Sequence, residues 1–103
     1  MIKEYKVTTT DTFEDEVKNI YFKIKFYYKK PIKAKNVYNK IIDSIKKLNL
    51  FPEKFSKVKN FKNLNLHRLI INNYIVIYEV NNEKAEVYIL HIFFYNQNYL
   101  NLL

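Results

Sequence analysis

Two histidines, His67 and His91, one arginine, Arg68, and Lys54 are the side chains of this sequence suited to phosphodiester chemistry. Cleaving RNA through its 2′-hydroxyl requires a base for that hydroxyl, an acid for the leaving oxygen and cations for the charge of the phosphorane. Imidazole, with a reference pKa near ~6.5, suits either proton role. A guanidinium matches phosphate and carboxylate geometry alike. Each group also has a plainer reading. A lone histidine is more often hydrogen-bonded at the margin of a core than catalytic. Arg68 is equally suited to a cross-strand ion pair with Glu79, worth roughly 0.2–1 kcal/mol. Lys54, Lys57, Lys59 and Lys62 form a basic loop that suits phosphates or an acidic protein partner, in a salt-sensitive way; a solvated charge run is the commoner explanation of such a loop. Tyr88 and Tyr95 are the tyrosines off the core stripes and are candidate base-stacking platforms. The others mostly fall on core stripes, where a ring with a polar tip needs no ligand.

Composition bounds the rest. A chain of 103 residues with 49% hydrophobic and 17% aromatic side chains fills one core and makes one domain, 1–103. Cysteine is absent, which removes disulfides, a thiolate nucleophile and cysteine-based zinc sites. Glycine is absent too, which excludes phosphate-cradling loops of the Walker and dinucleotide types and the cofactors they hold. No metal or other cofactor is expected. Lys3 and Lys6 interrupt the first apolar residues and no run reaches the ~20 residues of a membrane span, so a soluble cytoplasmic protein without a membrane partner is expected. Net charge is +8, and positions 29–62 hold eleven lysines against Asp43 and Glu53, a balance that suits polyanions or an acidic protein.

The elements that must position these groups follow from periodicity. Residues 2–8 alternate as a short strand. Asp11 with Glu14 has capping-box spacing, and Glu14, Asp15 and Glu16 favour a helix start. The stripe Phe13, Val17, Ile20, Tyr21, Ile24, Tyr27 and Tyr28 predicts one helix, ended by Pro31. A second helix from about Lys33 carries Ala34, Val37, Tyr38, Ile41, Ile42, Ile45 and Leu48, so the pair forms an antiparallel hairpin. Positions 53–65 read as a surface loop. Positions 66–94 read as three antiparallel strands, joined first by a type I′ turn at Asn72-Asn73. That register puts His67, Leu69, Ile71, Tyr74, Val76, Tyr78, Val80, Val87, Ile89 and His91 on the face under the helices. Leu66, Arg68, Ile70, Ile75, Ile77, Glu79, Glu86, Tyr88, Leu90 and Ile92 fall on the other, which is the expected working surface. The fold class is therefore α+β: an N-terminal strand, a helical hairpin packed on one face of an antiparallel β-meander, and a short C-terminal tail.

This order coincides with residue-level detail. Phe51-Pro52-Glu53, His67-Arg68-Leu69, Tyr74-Ile75-Val76-Ile77-Tyr78-Glu79-Val80 and Val87-Tyr88-Ile89-Leu90-His91-Ile92-Phe93, with Asn96-Gln97-Asn98 beyond, resemble the RelE/ParE toxin superfamily. The resemblance implies the toxin of a type II toxin-antitoxin pair, held inactive by a cognate acidic antitoxin. It acts on DNA gyrase in the ParE branch, or as an enzyme that cuts ribosome-bound mRNA in the RelE branch. It places Arg68 at a basic position of the family and Tyr99 near a stacking tyrosine. Ile75 stands where the RelE branch has a catalytic arginine, and Tyr95 or Asn96 where it has a basic residue, which favours a ParE-like member. The rival expectation is a non-catalytic binding module, either a decayed toxin that only occupies an antitoxin or a basic nucleic-acid-binding domain.

Overall fold

The computed structural model describes residues 2–58 and 64–95. A short strand, β1 (Lys6–Thr9), leads into α1 (Asp11–Phe22), which continues as a π-helical turn (Lys23–Tyr27) before α2 (Pro31–Lys46) returns antiparallel to it. Two 3₁₀ turns, Lys47–Asn49 and Pro52–Lys54, precede the meander β2 (Leu66–Ile71), β3 (Tyr74–Asn81) and β4 (Glu86–Phe94). The sheet order is β1-β4-β3-β2. The meander is antiparallel as expected, but β1 pairs with β4 in parallel, so the sheet is mixed. β1 runs alongside β4 only as far as Thr9 opposite Ile89, and the chain then turns into α1.

The helix start lies one residue before the expected cap. Thr10 is the N-cap: its Oγ1 accepts from the Phe13 N–H at 3.3 Å and donates to the Ile89 carbonyl at 2.8 Å, tying helix to sheet. Asp11 and Glu14 then sit in the first turn, where negative charge complements the dipole. Pro31 opens α2 instead of closing the first helix. The first helix closes through the π turn and Lys29 at φ 56°, with the Lys30 N–H reaching back to the Ile24 carbonyl at 3.0 Å. The wider π turn shifts the helical phase, so the stripe ends at buried Ile24. Tyr27 and Tyr28, expected on the core stripe, are exposed.

The main core lies between the hairpin and one face of the sheet. Phe13, Val17, Ile41, Ile45 and Leu48 pack on Leu69, Ile71, Val76, Tyr78, Val87 and Ile89. Burying a side chain of the size of Phe13 is worth about 1.5–3 kcal/mol. The opposite face, expected to be an open working surface, carries a second small core of Val58, Leu66, Ile75, Ile77 and Phe93, with Leu90 against it. At the β2–β3 turn only Asn72 has positive φ (52°), so the turn is not of type I′, which requires it at both central residues. The predicted register Ile71 opposite Tyr74 is nonetheless present.

Candidate functional site

β3 pairs with β2 on one side and β4 on the other, and its register with β4 shifts between Ile77 and Tyr78. Ile77 lies opposite His91 and Tyr78 opposite Ile89, so Leu90 is an extra residue, a β-bulge. The insertion inverts the alternation that follows it. Ile92, expected on the outer face, joins the main core. His91, expected under the helices, moves to the face that carries Arg68.

Glu16 holds this bulge. β1 ends at Thr9, leaving the outer edge of β4 without a strand, and the carboxylate of α1 fills the gap: Glu16 Oε1 accepts from the Ile92 N–H at 3.2 Å. The same oxygen lies 3.2 Å from His91 Nδ1, which carries the proton facing the carboxylate. His91 stacks on Phe93 (centroids 5.1 Å apart, planes at 16°), which fixes the ring. A carboxylate hydrogen-bonded to one imidazole nitrogen sets the orientation of the ring. A cleft of about 710 Å³ opens beside Glu16, lined also by Lys23, Tyr28, Tyr74, Ile92 and Phe94 among others, with His91 outside its lining. Burial, and then the neighbouring Tyr28, push the Tyr74 hydroxyl above its ordinary pKa, keeping it a neutral donor there. Glu16 is a residue that sequence reasoning missed as part of a site. It is 75 positions from His91, and only the bulge brings the two together.

Arg68 and His91 are not neighbours in the strand register. They flank Ile77 with two strand spacings between them, about 10 Å, and Ile77 is fully buried in the second core. Apolar packing, not an open groove, lies between them.

His67 is placed elsewhere and differently. It stays on the main-core face, 3% exposed, stacked on Tyr78 with centroids 5.6 Å apart. Its Nδ1 donates to the Phe55 carbonyl at 2.9 Å, and its Nε2 lies 3.1 Å from Asn65 Oδ1 and 3.8 Å from Glu53 Oε2. Both nitrogens are engaged, so neither is available to a substrate. The Phe-Pro turn builds this pocket: Phe51, in the left-handed region at φ 52°, swings Pro52 over the sheet, and the Pro52 carbonyl accepts from the buried Tyr78 hydroxyl at 2.5 Å. Burial, with the Glu53 charge behind it, pushes that phenol well above the ordinary tyrosine range. Asn82 donates to Glu53 Oε1 at 2.9 Å, and Asn65 donates to Oε2 at 3.3 Å. These bonds, Asn82 first, draw the Glu53 pKa below its ordinary value against a smaller opposing cost of burial.

The remaining candidates scatter. Lys54 lies over the Phe55 ring, its Nζ 5.1 Å from the centroid, and Lys57 bridges to His67 through the backbone. Lys59, Lys62 and Tyr99 lie outside the described residues. The Tyr88 hydroxyl donates to Glu86 at 2.7 Å, a bond that raises its pKa, and the half-buried ring is tied to its own strand. Tyr95 is exposed at the end of β4, its N–H donating to the Asn73 carbonyl.

The described residues form a helical hairpin over one face of a mixed four-stranded sheet, with His67 sequestered beneath the Phe-Pro turn. The fold is similar to that of the chromosomal ParDE toxin-antitoxin system of P. aeruginosa (TM-score 0.70, 15% identity, 89% of this chain and 97% of that one). It is also similar to the archaeal RelE–RelB complex of Pyrococcus horikoshii OT3 (0.67, 21%, 91% and 98%) and to the RelBE2 toxin-antitoxin complex of Mycobacterium tuberculosis (0.63, 16%, 91% and 94%). No curated protein sequence matches. The family model of the ParE toxin of the type II toxin-antitoxin system parDE matches residues 7–99. The chain belongs to that family.

Proposed function

We propose that this chain is a growth-inhibiting toxin that acts by binding DNA gyrase in the cytoplasm, and that a cognate acidic antitoxin restrains it. The observation that carries this reading is the family match over residues 7–99. The separation of Arg68 from His91 by buried Ile77, and the engagement of both His67 nitrogens, support binding over catalysis. Target contact runs through Arg68 and the lysine loop that begins at Lys54. The test is a supercoiling assay with purified gyrase. Inhibition by the chain that is relieved by antitoxin is expected; unimpaired supercoiling at saturating protein contradicts the reading.

The Glu16–His91 pair favours a second reading, ribosome-dependent mRNA cleavage, because it supplies one oriented imidazole. Cleavage of ribosome-bound mRNA that disappears in both His91→Ala and Arg68→Ala would establish it in place of gyrase binding.

A further inference from the structure

The tip of the helical hairpin carries a surface that the toxin reading does not use. Positions 17–42 contain eight lysines and no carboxylate. Over the same stretch the π turn rotates aromatic side chains outward: Tyr27 is 75% exposed and Phe26 63%, with Phe22 and Tyr28 exposed beside them. Rings and ammonium groups are interleaved here. Phe22 stacks on Phe26 (centroids 5.9 Å apart, planes at 21°). Lys25 Nζ lies 5.2 Å from the Phe26 centroid and 5.6 Å from that of Tyr21, and Lys23 Nζ lies 6.0 Å from Tyr28.

That interleaving selects among anionic partners. An amphipathic acidic helix needs a continuous apolar stripe with cations on its rim. At this tip the cations sit among the rings. A single-stranded polynucleotide alternates phosphates with bases, each base offering a π-face, and matches a surface where cations and aromatic rings alternate. A second copy of the chain is disfavoured by the same charges that attract a polyanion.

We propose that the hairpin tip binds single-stranded nucleic acid, with bases stacking on Phe22, Phe26 and Tyr27 and phosphates held by Lys25, Lys29 and Lys30. The hairpin covers the main-core face of the sheet and Arg68 lies on the other, so this surface is separate from the proposed target contact. It does not depend on which target the toxin engages.

The test is a fluorescence-anisotropy titration of the full chain with a labelled single strand of about 16 nucleotides, the upper end of common site sizes. Phe26→Ala/Tyr27→Ala keeps every charge and alters only exposed rings, so an unchanged melting temperature certifies its fold. It is expected to bind about tenfold more weakly or worse. An abasic strand of the same length should show a comparable loss. Replacing Lys25, Lys29 and Lys30 with alanine should instead lower the slope of log K against log salt by about 2. The proposal is overturned if the chain does not bind at about 0.15 M salt or binds the abasic strand as tightly. It is equally overturned if the ring variant binds like the parent, or if an acidic amphipathic peptide is preferred to the strand.

Discussion

His91 lies on the same face of the sheet as Arg68, the two flanking Ile77, because Leu90 is inserted into β4 as a bulge. Strict alternation would have put the imidazole under the helices. The bulge sits where β1 stops pairing with β4, and Glu16 replaces the missing strand by accepting from the Ile92 N–H. One carboxylate therefore satisfies a backbone donor and orients a histidine.

Glu16→Ala removes the acceptor of that donor. The variant is expected to lose about 1–2 kcal/mol, the cost of a partly buried donor left without its partner, and this amounts to a fall of about 4–16 °C in melting temperature for a domain of this size. The His91 imidazole resonances should move as well. An unchanged melting temperature would show that the bulge is held by packing alone.

The outcome at residues 90–92 shows what the sequence could and could not disclose. Helix stripes, the hairpin and the antiparallel meander of β2, β3 and β4 were legible because they rest on local periodicity and on turn residues such as Asn72. The bulge was not, because its cause is the end of β1, which is remote in sequence, and no residue type marks it. The π turn escaped for a similar reason. A phase shift after Phe22 leaves the apolar pattern intact on paper while turning Tyr27 and Tyr28 outward. His67 was legible only as a pair of alternatives. Its burial depends on Phe51 adopting a left-handed conformation before Pro52, which a phenylalanine does not advertise. The parallel pairing of β1 is likewise a relation between ends of the chain.

Tyr78→Phe tests the pocket around His67 without creating a cavity. The buried Pro52 carbonyl loses the hydroxyl that donates to it, and stability should fall by about 1–2 kcal/mol. Denaturant unfolding monitored by circular dichroism reads the change. A variant as stable as the parent would mean that the Phe-Pro turn is positioned by stacking alone.

Glu53 makes stability depend on pH with a definite sign. Its folded pKa lies below the ordinary value of 4.5, so its contribution is fully present above that value and is lost as pH falls through the folded pKa. The melting temperature of Glu53→Gln should therefore lie below that of the parent at neutral pH. The gap should close as the pH is lowered through the carboxylate range. A gap that is constant with pH would contradict the lowered pKa, and with it the preference of the bonds from Asn82 and Asn65 for the ionised carboxylate.

The most direct measurement is a growth curve after tightly controlled induction of this chain alone in a bacterial host. The account predicts arrest, relieved by Arg68→Ala at an equal level of soluble protein and by co-expression of the antitoxin. Normal growth with abundant folded protein would contradict it.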